Sequence, residues 1–400
     1  MSATNPDSSD IVPRLPQQGY APEHVAQRRT WAEQRTDTAL PHAADCTIDS
    51  EQMRGNIESP IGSVQMPLGV AGPLRVLGKH AEGVFYVPMA TTEGALVRSY
   101  ERGMTAITRS GGAAARLFRD ENKATPIFTC QDVAAAYDFV EFVTENLTAI
   151  QAAADATTQH GKLLRMTPRP LGRDVAVDFS YHTGDAHGMN MIAKSTDAAC
   201  RWIVERFPVE SWLVMSGGSS EKRPSGSLLA GGKGKYVTAG VRLSPRLTKM
   251  YLHAPPSRLV DLWKRTAIGQ MASGVLGYNG HYANGLTALF IATGQDVANI
   301  ANSAVGVTNL EVIGDGDLYA SVTLPSLVLA TVGGGTALGT NPECLEMLGC
   351  RGSGKAAKFA EIAAAVALAG ELSFAAALAT GEFVHAHESY GRNRPEEGNR

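Results

Sequence analysis

Apolar and polar positions along this 400-residue chain follow two periods. Short apolar runs at Val84–Val87, Val175–Phe179, Tyr236–Val241 and Ser321–Leu324 predict strands. Helical spacing marks four longer stretches. Thr91 to Ile107 opens on threonines able to cap a helix. Gln131 to Ala154 is periodic and Ala-rich. From His281 to Asn302 the apolar positions Ala283, Leu286, Phe290, Val297 and Ile300 fall at three- and four-residue steps with one turn skipped, which predicts a long amphipathic helix. Lys355 to Leu378 predicts another, with Gly370 as its weak point. A charged, partly helical stretch over 22–54 predicts a small N-terminal arm behind a polar tail carrying Pro6, Pro13 and Pro16, and Gly62 to Pro73 reads as turns joining short strands. Strands mixed with helices predict an α+β fold.

Composition narrows the class. Lys plus Arg number 36 against 39 Asp plus Glu, a net charge of −3, which argues against a nucleic-acid binder. Glycine is 42 of 400, an excess without a repeat that points to tight turns and close backbone approaches to ligands. Five scattered cysteines with no C-x-x-C argue against a disulfide scaffold or a zinc site and fit a reducing cytoplasm. The first residues carry neither a basic nor an apolar leader region. The most apolar stretch, Ala363 to Ala379, is interrupted by Gly370 and Glu371 and reads as a buried helix, so no membrane association is expected.

Common signatures are missing. Gly232-Lys233 and Gly234-Lys235 lack the earlier glycine of a phosphate-binding P-loop, and no G-x-G-x-x-G follows a strand. His385-Ala386-His387 has no carboxylate or thiol framework around it, so no metal is expected. What remains is polar chemistry in glycine-rich or apolar text. Glu93 is either a carboxylate near a helix start or a proton donor in a tight site. Asp296 is either a solvated face residue or a buried charge needing a cation. Lys222 and Arg223, after Ser216-Gly217-Gly218, are either an exposed charged loop or cations offered to an oxyanion.

Taken in order, Met66-Pro67-Leu68-Gly69-Val70-Ala71-Gly72-Pro73-Leu74, Pro88-Met89-Ala90-Thr91-Thr92-Glu93-Gly94, Asp185-Ala186-His187-Gly188-Met189-Asn190-Met191, Gly294-Gln295-Asp296 and Thr331-Val332-Gly333-Gly334-Gly335-Thr336 closely resemble the 3-hydroxy-3-methylglutaryl-CoA (HMG-CoA) reductase family, in its class I-like catalytic portion. The resemblance runs from about residue 25 to 394. It implies reductive deacylation of an acyl thioester through a hemithioacetal and an aldehyde to a primary alcohol. The implied fold is a large α/β domain for acyl-CoA (55–126 and 215–379) with an inserted ferredoxin-like domain (127–214) for the dinucleotide. An N-terminal tail and arm (1–54) and a C-terminal flap (380–400) complete it. It further implies NADPH, with NADH as the alternative, and a homodimer or dimer of dimers whose active sites are shared between subunits.

Carried over by position, Glu93, Lys222, Asp296 and His387 match the catalytic set. The ammonium of Lys222 would stabilise negative charge on the carbonyl oxygen, Glu93 would supply a proton, Asp296 would tie the two into one network, and His387 would protonate departing CoA thiolate. Ser99, Arg102, Ser216, Arg223, His281 and Asn284 match the acyl-CoA side. Asp185, Gly188, Met189, Asn190, Gly333, Gly334, Gly335 and Arg392 match the cofactor side, where His187 falls in the same loop.

The sequence departs from the family at several of these sites. The family's arginine for the substrate carboxylate is replaced by Ala124, leaving Lys123 as the nearby cation without a bidentate fork. The lysine loop is one residue short and has Glu221 where aspartate is expected. Thr158-Gln159 stands where a Ser-Arg near the adenosine 2′-phosphate is expected, with His160 and Lys162 close by, and Tyr390-Gly391-Arg392 alters the flap. These changes predict thioester reduction with altered acyl-carboxylate recognition, on CoA or on a carrier protein. The rival expectation is a non-catalytic paralogue that binds acyl-CoA or a carrier protein.

Overall fold

The computed structural model describes residues 11–15 and 19–381. The chain opens with helix α1 (Pro22–Thr36), the predicted arm, started by a proline whose missing N–H costs nothing there. Its Arg28 is buried and donates to the carbonyls of Pro60 and Gly19, which pins the arm to the body.

Strands β1 (Leu68–Gly78) and β2 (Glu82–Ala90) form an antiparallel hairpin, followed by helix α2 (Leu96–Arg109) and the long strand β3 (Ala113–Ala124). Next come β4 (Ile127–Thr129), α3 (Val133–Glu145), α4 (Leu147–Asp155), β5 (Lys162–Leu171), β6 (Asp174–His182), α5 (Met189–Val204) and β7 (Ser211–Leu213). Then follow β8 (Gly234–Leu243), α6 (Pro256–Ala272), α7 (Tyr282–Thr293), β9 (Val307–Ile313), β10 (Asp317–Leu327) and α8 (Ala356–Thr380).

Two apolar cores divide the molecule. The segment from β4 to β7 is a β-α-β-β-α-β unit with strand order β7-β4-β6-β5, all antiparallel, the ferredoxin-like arrangement. Its core packs Phe128, Phe139, Val177, Phe179 and Ile203 between sheet and helices. The larger core gathers the faces of β1–β3, β8 and β10 around α2, α7 and α8. Strand β3 serves both. Its Ala114–Glu121 pair with β8, and its last residues Asn122, Lys123 and Ala124 pair with Tyr181, Ser180 and Phe179 of β6.

Helix α8 is buried along nearly its whole length because elements cover every face. Small residues permit this. A Cβ on Gly103 of α2 would lie 1.9 Å from the carbonyl oxygen of Ala369, so the two helices meet backbone to backbone. Gly370 breaks nothing, since the Tyr100 ring fills the space above it. By length and apolar composition α8 resembles a membrane span, the reading that the sequence set aside in favour of a buried helix. In the fold 83% of its most apolar window is buried.

Other helices differ from expectation. The threonines at 91 and 92 do not cap α2. Thr91 instead accepts the N–H of Glu93 in a turn, and Ala95 takes a left-handed conformation before the helix begins at Leu96. The stretch 131–154 breaks at Asn146 into α3 and α4. The predicted 281–302 helix ends at Thr293, because Gly294 turns left-handed and leads into two short turns, Val297–Asn299 and Ile300–Ser303. The turn-rich Gly62–Pro73 stretch includes the start of β1 at Leu68.

Candidate active site

A cleft of about 790 Å³ lies between the ferredoxin-like unit and the larger core. One wall is the loop 186–188 and the first residues of α5. The others are Glu221 and Lys222, the turn Gly294 to Val297, and the segment 328–336.

The Gly294-Gln295-Asp296 turn shows why these residue types recur together. A Cβ on Gly294 would sit 2.3 Å from the Gly335 carbonyl oxygen, so only glycine lets the two loops touch. Gln295 pairs with the backbone of Ala330 in both directions, its Oε1 accepting at 2.7 Å and its Nε2 donating at 3.0 Å. Asp296 caps the following turn through Oδ1, which leaves Oδ2 2.7 Å from the Lys222 Nζ. The hydrogen bond to Asp296 pushes the Lys222 ammonium above its usual range, so it stays charged at neutral pH.

Lys222 itself is left-handed (φ 54°), as is Ser220 (φ 58°). Asn302 holds that loop, accepting the Lys222 N–H at 2.8 Å and donating to the Ser220 carbonyl at 2.5 Å. Asn302 is fully buried and was missed in the sequence, since its partners lie some eighty residues away.

Glu221 points the other way. Its carboxylate forms an ion pair with Lys233, a fully buried lysine that the sequence alone did not mark as a site residue. The lone charge inside Gly231-Gly232-Lys233-Gly234 was the available signal. His187 Nε2 stands 3.5 Å from the other Glu221 oxygen.

The cofactor candidates line the same cleft. Gly188 is left-handed (φ 78°) and starts α5, with Met189 and Asn190 as its first residues. Gly333 and Gly334 also have positive φ, and among the described residues nothing lies within 4 Å of a Cβ built on either. A helix N-terminus facing a bare glycine turn suits the pyrophosphate of a dinucleotide. Asp185 is engaged elsewhere: its carboxylate accepts the N–H groups of Gly354 and Ala356 at 2.7 and 2.9 Å and anchors the start of α8. Thr158 accepts two N–H groups in its own turn, beside Gln159, and Gly161 of that turn packs on Met191 of the cleft.

Glu93 does not join Asp296 and Lys222 in this chain. Both its oxygens accept from Asn284 Nδ2, at 3.1 and 2.9 Å, beside the start of α7. Asp296 lies beyond the other end of that twelve-residue helix, roughly 18 Å away at 1.5 Å per residue. The expected single network is therefore split within one chain.

Around Glu93 stand the other acyl-side candidates. Ser99 and Arg102 both contact Ser373 of α8, the guanidinium donating to the Ser373 hydroxyl at 3.0 Å and its carbonyl at 2.7 Å. The His281 ring stacks between Tyr100 and Phe374. Buried Glu371 accepts the N–H groups of Gly280 and His281 and the Thr308 hydroxyl, setting the start of α7; burial pushes its carboxyl above the usual range.

At the departures from the family pattern, Ala124 is fully buried in the smaller core, and the Lys123 ammonium lies 3.5 Å from Asp178, which also takes Thr125 and Arg169. Lys123 is thus committed to the protein. Ser216 donates to the Thr125 carbonyl, and Arg223 is exposed beside Gly217. His387 and Arg392 lie outside the described residues.

The family model described as hydroxymethylglutaryl-coenzyme A reductase matches residues 24–392. The chain belongs to this family. It is 43% identical over 373 residues to the 3-hydroxy-3-methylglutaryl-coenzyme A reductase of Methanocaldococcus jannaschii, spanning 91% of this chain and 92% of that one. Against the protein of the same name from Methanothermobacter thermautotrophicus it is 42% identical, spanning 92% and 94%. A class II HMG-CoA reductase from Streptococcus pneumoniae, solved bound to NADPH in open conformations, aligns with a TM-score of 0.68 over 88% of this chain and 96% of that one. At 17% identity this is a likeness of fold. The chain is thus an oxidoreductase of the reductase family, acting on an acyl-CoA thioester.

Proposed function

We propose that this chain reduces 3-hydroxy-3-methylglutaryl-CoA to mevalonate and free CoA, with NADPH as reductant, in the cytoplasm. The observation that carries the reading is the Lys222–Asp296 pair opening into the cleft that the start of α5 and the Gly333–Gly335 turn also line. The dinucleotide, when bound, supplies hydride. Everything else falls to the chain. Lys222, kept cationic by Asp296, stabilises the oxyanion that forms on the thioester carbonyl and again on the aldehyde. Glu93 gives the proton that the final alkoxide needs. Gly188, Met189, Asn190 and Gly333–Gly335 would hold the pyrophosphate, and Thr158, Gln159 and nearby Lys162 would serve the adenosine end.

Since Glu93 and Lys222 lie at opposite ends of α7, the reading requires a homodimer in which each site takes Glu93 from one copy and Lys222 from the other. The outer face of the β1–β2 hairpin supports this. Leu68, Val70, Val84 and Tyr86 are each more than half exposed there, an apolar patch suited to a second copy.

A second reading, reduction of a different acyl thioester, is favoured by one observation: Lys123 is paired with Asp178 and Ala124 is buried, so neither offers a cation to a substrate carboxylate.

The test is oxidation of NADPH by the full chain with HMG-CoA and a panel of other acyl-CoAs. Two NADPH consumed per mevalonate and CoA released is expected. Turnover of another acyl-CoA alone selects the second reading, and thioester binding without hydride transfer selects the non-catalytic one. Co-refolding a Glu93→Gln chain with a Lys222→Met chain should restore about one quarter of wild-type activity, since half the dimers are hybrids with one intact site each. No recovery would overturn the shared site.

A further inference from the structure

His187, Glu221 and Lys233 form a chain of titratable groups running from the cleft wall into the interior that the chemistry above does not use. We infer that His187, acting through Glu221, is a positioning residue that couples the dinucleotide-binding loop to the placement of Lys222. The inference rests on the reading of the cleft given above.

The geometry runs along named contacts. The His187 backbone carbonyl accepts from Asn122 Nδ2 at 3.0 Å, which fixes the loop one residue before Gly188 and the start of α5. Its Nε2 has no hydrogen-bond partner among the described residues and faces Glu221 Oε1 at 3.5 Å. The other Glu221 oxygen pairs with the Lys233 Nζ, which is fully buried and also touches the Lys123 carbonyl oxygen and the Met189 sulfur, each at 3.3 Å. One ammonium therefore contacts the cofactor loop at Met189 and the lysine loop at Glu221. A single peptide bond separates Glu221 from Lys222, whose left-handed backbone is held by Asn302.

The groups around His187 are Glu221, Lys233, Asp296 and Lys222, two of each sign. Burial pushes its imidazole below the usual range, the Glu221 charge raises it, and Lys233 lowers it. At neutral pH the ring is neutral and Glu221 belongs to Lys233. A protonated ring draws Glu221 toward itself, and Lys222 moves with it. A shift of about 1 Å in a group that stabilises an oxyanion is enough to lower turnover severalfold.

The test uses the full chain with His187→Met, His187→Gln and Glu221→Gln. In histidine-labelled protein without ligand, the resonance lost in His187→Met should titrate below pH 6.5 and move further down in Glu221→Gln, because the charge that raised it is gone. In turnover with HMG-CoA and NADPH, wild type should lose kcat severalfold below pH 6.5, and His187→Met should abolish that acidic limb while changing KM and the NADPH dissociation constant by less than about threefold. His187→Gln offers Glu221 a permanent donor, as the protonated ring does, and should lower kcat severalfold at neutral pH with no acidic limb.

A limb that survives in His187→Met overturns the inference. So does a roughly tenfold or greater rise in the NADPH dissociation constant in His187→Met, which would make His187 a cofactor ligand. A resonance insensitive to Glu221→Gln overturns it too, in a readout independent of turnover. If wild type itself transfers no hydride, the proposed function fails, and the titration still reports whether His187 and Glu221 are coupled.

Discussion

Glu221 and Lys222 are neighbours in the chain and belong to opposite worlds. The Lys222–Asp296 pair is wet, with side chains 45% and 40% exposed, whereas the Lys233–Glu221 pair is dry, with Lys233 wholly enclosed. An exposed pair adds little to stability and leaves its ammonium free to greet a forming oxyanion. An enclosed pair has lost its water and depends on its partner, so it holds a loop in place and offers nothing to a ligand. One dipeptide thus divides between chemistry and support, and the turn at Ser220–Lys222 is what sends the two side chains apart.

Breaking the dry pair should have the largest effect. Lys233→Met strands the Glu221 carboxylate and should lower unfolding free energy by about 3–5 kcal/mol, read from chemical denaturation. Adding Glu221→Gln should return much of that loss. If the single variant is as stable as wild type, the pair is not dry in solution and the contrast fails. Next comes the wet pair. Lys222→Met should lower kcat about 100- to 1000-fold, the cost of one oxyanion-stabilising group, with a melting temperature close to wild type. A large drop in melting temperature would show Lys222 to be structural. The smallest effect sharpens the comparison through pH. The native His187 pKa is lowered, so between its native value and 6.5 the unfolded chain binds a proton that the native chain does not. Stability therefore rises with pH across that window, and His187→Met should make the slope shallower.

Much of this architecture was legible along the chain. The strands predicted at 84–87, 175–179, 236–241 and 321–324 all lie inside observed strands, because alternating and fully apolar runs survive tertiary packing. The skipped turn in the 281–302 periodicity marks the place where Gly294 ends α7; the period was right and the continuity was not, because a contact with Gly335 some forty residues away decides it. The glycine-flanked motifs pointed to the cleft. Lys233 and Asn302 did not stand out, since a buried polar residue gains its role from distant partners and local spacing carries no trace of them. The same holds for Glu93, whose neighbour Asn284 was named while its distance from Asp296 was not foreseen.

Strand β3 carries a practical consequence. Its last three residues close one edge of the ferredoxin-like sheet, although they precede the insert. A module cut at 127 and 214 would leave the backbone of Phe179, Ser180 and Tyr181 paired on the β5 side alone, an open edge inviting self-association. Anyone excising this unit must carry Asn122 to Ala124 along with it.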